Sequence, residues 1–238
     1  MSIEQFAELL KKGGVVFFGG AGVSTESGLP DFRGTGGLYY QKYKFPPETI
    51  LSQEFFFSRT ADFYEFYYEK LVAPKVLPNK AHIALAKLEK AGLLSSVITQ
   101  NIDGLHQDAG SKKVLELHGS ILRNYCQKCG KFFPREYITD KIPRCDCGGL
   151  VKPDVVLYGE TLDGDVLNAA TAEISSAKTL IVGGTSLGVY PASGLVRFFR
   201  KGKIVLINKT ETSLDGSADF IFRENIGEVL DKAVNLCL

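Results

Sequence analysis

Apolar runs of four or five residues recur along this chain, and the segments between them carry apolar positions every three or four residues. The first run, Val15-Val16-Phe17-Phe18, has the length and the β-branched and aromatic content of a strand buried on both faces. Ahead of it, Ser2 and Gln5 form a capping-box pattern, and Ile3, Phe6, Leu9 and Leu10 recur at helical spacing until Gly13-Gly14 ends the segment. The same alternation predicts a helix over 80–91 ended by Gly92, a strand over 95–99, a helix over 165–175, strands over 179–182 and 204–207, and a last helix over 226–236. Helices alternating with short apolar strands predict an α/β fold, a Rossmann-like parallel sheet covered by helices on both faces.

Two stretches break this rhythm. Residues 35–78 are rich in Tyr and Phe, are interrupted by Pro46-Pro47, and hold a helical segment over 60–71; they read as a helical insertion covering the turn after the first strand. Residues 123–151 bring cysteines, glycines and basic side chains with no apolar periodicity, the mark of a separate small module. The 238 residues then form one domain, whose large part comprises 1–34, 79–122 and 152–238. Neither a solenoid repeat nor a low-complexity tail is present.

Composition narrows the classes. The 28 basic and 27 acidic side chains nearly cancel, so no long-range field favours nucleic acid or an anionic membrane. No run is long enough to cross a membrane, and Met1-Ser2-Ile3-Glu4-Gln5-Phe6 lacks the charge and apolar core of a signal peptide, so a cytoplasmic protein is expected.

Four of the five cysteines cluster. Cys126-Gln127-Lys128-Cys129 and Cys145-Asp146-Cys147 stand fifteen residues apart, close to the zinc-ribbon pattern of two knuckles closing a tetrahedron of thiolates, although the second knuckle has one intervening residue instead of two. Gly148-Gly149 supply the backbone freedom a cramped turn needs. A closed four-thiolate site leaves no open position for substrate, so a bound Zn²⁺ would be structural. Zinc ribbons also bind nucleic acid, and Lys128, Lys131, Arg135 and Arg144 fit that reading; a solvated face fits them as well.

The strand at 15–18 runs into Gly20-Ala21-Gly22-Val23-Ser24-Thr25-Glu26-Ser27-Gly28-Leu29-Pro30-Asp31-Phe32-Arg33-Gly34. Glycines at 20 and 22 let a backbone turn tightly and approach a pyrophosphate, with amides and a following helix N-terminus receiving its charge. The dehydrogenase fingerprint fails, because position 25 is Thr and Pro30 cuts the helix short. On glycines alone, a turn that merely links strand to helix explains the pattern equally well. The strand at 95–99 ends in Gln100-Asn101-Ile102-Asp103, polar groups at the carboxyl edge where parallel sheets bind ligands, although Asn and Asp also serve there as turn formers. Of the three histidines, His118 follows a strand-like segment and stops at Gly119, His82 lies on a predicted helix, and His106 reads as packed structure. A lone histidine is more often structural than catalytic.

The fifteen-residue string resembles the signature of the sirtuins, NAD-dependent protein deacylases, and specifically their compact bacterial and archaeal catalytic core. Thr99-Gln100-Asn101-Ile102-Asp103-Gly104-Leu105-His106, Glu116-Leu117-His118-Gly119, Lys152-Pro153-Asp154-Val155-Val156-Leu157-Tyr158-Gly159-Glu160 and Gly184-Thr185-Ser186-Leu187 match further family motifs in the family's order. The resemblance covers nearly the whole chain. It implies that His118 is the general base and Asn101 a catalytic partner ordering a water. It also implies that Ala21, Thr25, Phe32, Arg33, Gln100, Ile102, Asp103, His118, Thr185, Ser186, Asn208 and Ile226 surround NAD, with Asp103 at the nicotinamide carboxamide. Cys126, Cys129, Cys145 and Cys147 would hold one Zn²⁺.

The implied reaction moves an acetyl group from a lysine side chain to ADP-ribose and releases nicotinamide, with His118 accepting a ribose proton. The partner would be an acetylated-lysine protein or peptide bound as an extended strand along Val155-Val156-Leu157, with no membrane and no specific nucleic acid expected. Two alternatives stand beside it: an NAD-dependent ADP-ribosyltransferase, which would use the same NAD site, and a non-catalytic NAD-sensing or zinc-ribbon binding module, which would not need His118. Family members that remove acidic acyl groups carry a Tyr followed three residues later by Arg; Tyr64-Glu65-Phe66-Tyr67 lacks the Arg, so uncharged acyl groups are expected.

Overall fold

The computed structural model describes residues 2–31, 37, 43–72 and 75–238. The chain begins with α1 (Ile3–Leu10), whose Ser2 and Gln5 close a reciprocal capping box, and β1 (Val15–Gly19) follows directly. The insertion contributes α2 (Pro47–Ile50), α3 (Gln53–Ser58) and α4 (Thr60–Tyr67). The helix expected over 60–71 loosens into a π-type turn at Tyr68–Val72. Then come α5 (Lys80–Lys90), β2 (Leu94–Thr99), α6 (Leu105–Asp108), β3 (Val114–Glu116), β4 (Gly119–Cys126), β5 (Phe132–Pro134) and β6 (Val151–Val155). The last third holds α7 (Gly164–Ser176), β7 (Thr179–Gly183), β8 (Lys203–Ile207), β9 (Phe220–Phe222) and α8 (Ile226–Cys237).

Six strands form one parallel sheet in the order β3-β2-β1-β7-β8-β9. Counted within that sheet the order is 3-2-1-4-5-6, the doubly wound Rossmann arrangement, and the strand order reverses between β1 and β7. The pleat sorts neighbouring residues onto opposite faces: Phe17, Ile181 and Val205 pack with α1, α5 and α8, whereas Phe18, Val182 and Leu206 pack with α7 and the segment around Leu195. Both faces are covered, which is why these strands read as continuous apolar runs.

The other strands form a three-stranded antiparallel sheet, β5-β4-β6. The cysteine-bearing segment is not a core-poor module on its own. Ile121, Phe133, Ile138 and Val151 share one buried cluster with Phe55, Phe56, Phe63, Tyr64 and Tyr67 of the insertion. The described part of the insertion therefore buries its aromatics against the small sheet. Arg135 donates to the Val72 carbonyl oxygen and Tyr64 to the Val151 carbonyl oxygen, tying the two halves of this lobe together.

Two further expectations change. The first glycine turn is followed by two single 3-10 turns, Ala21–Val23 and Thr25–Ser27, and no α-helix begins there. The strand expected over 155–157 ends at Val155. Beyond it the N–H groups of Val156, Leu157 and Tyr158 bond the His118 carbonyl, the Glu160 carboxylate and the Leu51 carbonyl respectively. A buried Lys152 holds this bend, its Nζ donating to Val155 O at 2.9 Å and to Glu160 Oε2 at 3.0 Å.

Candidate functional site

The carboxyl ends of β1 and β7 meet at the reversal of strand order, where open α/β sheets open a crevice for ligands. The two glycine turns interlock there. Gly20 N–H donates to Gly183 O at 3.3 Å and Gly22 N–H to Gly184 O at 2.8 Å. A Cβ on Gly22 would lie 2.8 Å from the Gly184 Cα, and one on Gly20 would lie 2.9 Å from the Thr185 Cβ. These glycines are needed because two backbones touch, and their own N–H groups already have acceptors. Among the described residues, the N–H groups of Ala21, Thr185 and Ser186, beside the two turns, have no acceptor within the protein.

From β2 the chain delivers a polar line into the same place. Gln100 Nε2 donates to Thr185 Oγ1 at 3.0 Å, bridging β2 and β7. Ser24 joins the two polar residues that follow: it accepts from Asn101 Nδ2 at 3.0 Å and donates to Asp103 Oδ2 at 2.7 Å. The other Asp103 oxygen takes the Leu105 N–H at 3.0 Å, so the carboxylate is fixed on both sides. Thr25 stays exposed, with its hydroxyl donating to Gly22 O at 2.9 Å.

His118 sits in the link between β3 and β4, and its Nδ1 lies 2.9 Å from the Gln100 carbonyl oxygen. A carbonyl only accepts, so Nδ1 carries the proton in the neutral ring and Nε2 keeps its lone pair. Burial pushes the His118 pKa below the ordinary histidine value of 6.5, against a smaller opposing effect of the Gln100 carbonyl. The neutral, basic form is therefore the one present at pH 7. Next to it Gly119 has φ +73°, and an added Cβ would fall 1.9 Å from the Asp154 carbonyl oxygen, so only glycine lets β4 start this close to β6. Arg123 braces the same region, donating to Asp154 at 2.7 Å and to Glu116 at 2.8 Å.

The other two histidines have a different environment. His82 and His106 are fully buried, with ring centroids 4.7 Å apart in an edge-to-face pair. His82 accepts the Asn79 N–H through Nδ1, and burial lowers its pKa to about 4; His106 falls to about 3 for the same reason, with the neighbouring His82 adding to it. Both stay neutral packing groups.

The four clustered cysteine sulfurs lie within 4.8 Å of one another, with Cys126–Cys147, Cys129–Cys145 and Cys129–Cys147 at 3.5, 3.6 and 3.5 Å. A disulfide needs about 2.05 Å, whereas thiolates at about 2.3 Å from one Zn²⁺ stand about 3.8 Å apart. The donor set and spacing fit a tetrahedral zinc centre, and the one-residue second knuckle still reaches it. Gly149 makes room, since a Cβ there would meet Cys126 Sγ at 2.5 Å. The basic side chains of the segment are engaged locally: Lys128 with Cys147 O, Lys131 with Asp146, Arg144 with Gly148 O.

The model of the Sir2 family matches residues 20–191, from the first glycine turn past the second. The NAD-dependent protein deacetylase of Clostridium acetobutylicum is 56% identical over 226 residues, covering 92% of each chain. A solved Sir2 structure with a deacetylated p53 peptide and 3'-O-acetyl ADP ribose aligns at a TM-score of 0.91 and 40% identity, over 99% of this chain and 98% of that one. A Sir2 homologue–NAD complex aligns at 0.89 and 38% identity, over 98% and 92%.

The chain belongs to the Sir2 family.

In this Sir2 fold, Gln100, Asn101, Asp103, His118 and Thr185 converge on one crevice, joined by the hydrogen bonds given above. Ile102 leans toward the small lobe, its carbonyl accepting the Ile121 N–H at 2.9 Å. Asn208 follows β8, but its side-chain amide donates to Thr210 O, so it also shapes the turn there. Ile226 is a buried core residue whose Cδ1 lies 2.4 Å from where a Gly183 Cβ would stand. Phe32 and Arg33 lie outside the described residues. The residue given no role of its own in the sequence is Ser24: nothing in its spacing marks it, and only folding brings it between Asn101 and Asp103, across 77 and 79 positions.

Proposed function

We infer that this chain is an NAD-dependent protein-lysine deacetylase, with His118 as the general base. The observation that carries the reading is the His118 ring: its Nδ1 proton is held by the Gln100 carbonyl, which leaves Nε2 a free base at the crevice where β1 and β7 part. NAD supplies the electrophilic ribose carbon, nicotinamide as leaving group and the hydroxyl that receives the acetyl group. Gln100, Ala21, Thr25, Thr185 and Ser186 bind its ribose and phosphates through the amides and hydroxyls at the two turns, and Asn208 and Ile226 stand toward the adenosine end. Asp103, held by Ser24 and the Leu105 N–H, presents a fixed carboxylate to the carboxamide; Asn101, held by the same Ser24, orients water and backbone. Phe32 and Arg33 complete the set by their place in the sequence.

The acetylated peptide lies along the outer edge of β6, which ends beside Val156, whose N–H is tied to the His118 carbonyl. Acylation removes the lysine charge and lets its stem enter an apolar channel. Uncharged acyl groups are preferred: Tyr64 and Tyr67 are buried among aromatics, and the nearby cations are engaged, Arg59 with Asp62, Lys70 with Glu69 and Arg135 with Val72 O. The clustered thiols are free of disulfides, which agrees with a reducing, cytoplasmic location. Among the described residues no helix is long and apolar enough to cross a membrane.

The experiment is incubation with an acetylated peptide, with and without NAD. Nicotinamide and free lysine appearing together only with NAD is the expected result. ADP-ribose attached to protein with the acetyl group intact would instead identify a transferase, and neither product a binding module.

A further inference from the structure

The loop carrying Ser24 and Thr25 is held from three directions. Ser24 ties it to Asn101 and Asp103, and Asn79 donates to Ser27 Oγ at 3.0 Å and to Val23 O at 2.8 Å. The third tether crosses 201 positions: the Glu26 carboxylate accepts the Gly227 N–H at 2.8 Å. Gly227 is the second residue of α8, and the helix's own N-cap, Asn225, makes no side-chain capping bond. The capping carboxylate of α8 thus comes from the loop after β1, where it satisfies an orphan donor and faces the positive end of the helix.

The contact also explains a glycine. A Cβ on Gly227 would lie 2.6 Å from Glu26 Oε2, the far end of a flexible side chain, so a larger residue at 227 would push the carboxylate off this N–H. One residue earlier, Ile226 packs over Gly183 at the end of β7. The first turn of α8 is therefore fixed to both glycine turns, through Glu26 on one side and Ile226 on the other.

We propose that Glu26 is a positioning residue for NAD, holding the Thr25 loop and the first turn of α8 at a fixed separation so that the two ends of the dinucleotide are received together. This rests on the reading of Thr25 and Ile226 as NAD contacts. Because Glu26 touches no reacting atom, its removal acts on NAD affinity and leaves the chemical step alone.

The test is a double-mutant cycle on the full-length protein, using Glu26→Ala, Gly227→Ala and the pair, read as KM for NAD, kcat and NAD binding by calorimetry. Each single change is expected to raise KM and Kd for NAD about 3- to 10-fold with kcat within about twofold. The pair should be no worse than either, because both break one contact. Glu26→Gln keeps an acceptor oxygen and should restore most of the affinity. Unchanged NAD affinity in Glu26→Ala, or losses that multiply in the pair, would overturn the proposal. A coupling seen in thermal stability but absent from NAD affinity would also overturn it, reducing the contact to a structural cap. Absence of NAD-dependent turnover in the unmodified protein would instead defeat the functional reading itself.

Discussion

The large sheet and the small lobe reach order by different means. The sheet is closed by its own packing, with apolar clusters on both faces and interlocking glycine turns at its carboxyl edge. The small lobe has three short strands, a cluster of T-shaped aromatic contacts, and four thiols whose spacing asks for a metal. Yet the two are not independent, because β4 starts at Gly119, beside His118, and ends at Cys126. One strand joins the proposed base to the four-thiol cluster, so a site built on the large sheet would be steadied by the lobe whose thiols are spaced for an ion.

The largest effect should come from metal removal. One equivalent of zinc is expected, and Cys145→Ser or a strong chelator should unfold the small lobe, since a four-thiolate site stabilises such folds by on the order of 10 kcal/mol. Circular dichroism and metal analysis read this. An unchanged melting curve after complete metal loss would break the contrast between the halves. Gly119→Ala comes next, expected to cost about 3 kcal/mol in urea unfolding because the left-handed backbone and the Asp154 carbonyl both reject a Cβ. Its activity should fall more steeply than that of an equally destabilised variant in the large sheet.

Ser24→Ala should cost about 1–3 kcal/mol of stability, because it strands the buried Asn101 amide and an Asp103 oxygen, and should lower kcat/KM by about 5- to 150-fold as both side chains lose their fixed placement. Nicotinamide inhibition should weaken with it. The last effect, read without any substitution, is a pH dependence of stability. His82 and His106 have folded pKa values lowered to about 4 and about 3, so above pH 6.5 they are neutral in both states and contribute no slope. Below it the unfolded chain takes up protons that the folded chain refuses, and stability falls as pH drops toward those values. Unfolding free energies at pH 7.5, 6.0 and 5.0 should decline; replacing His106 with Phe should shallow the decline, and a flat profile would show the pair to be solvated.

Much of this was legible in the chain. The strands over 15–18, 179–182 and 204–207 stand out because a parallel sheet covered on both faces demands unbroken apolar runs, and each is found with at most one residue added at an end. The cysteines declare themselves by spacing, and His118 by its place between a strand-like run and a glycine. The small lobe's core was hidden, because Ile121, Phe133, Ile138 and Val151 follow no period and find their partners in a distant aromatic segment. Ser24 and Glu26 were hidden for the same reason: each acts on residues far away in sequence, through contacts that local pattern does not encode. The glycine pattern predicts a phosphate cradle; in the fold Gly20 and Gly22 give their own N–H groups to the neighbouring turn, and short 3-10 turns stand where a helix is expected.

The central claim is that His118 Nε2 is the base of an otherwise complete NAD site, and the most direct measurement compares His118→Ala with the unmodified protein in NAD binding, melting temperature and deacetylation of one acetylated peptide. NAD affinity and melting temperature should stay close to those of the unmodified protein, because His118 makes one side-chain hydrogen bond to the fold. Turnover should fall by about a hundredfold or more, the usual cost of losing a general base. Turnover retained at the level of the unmodified protein would contradict the account.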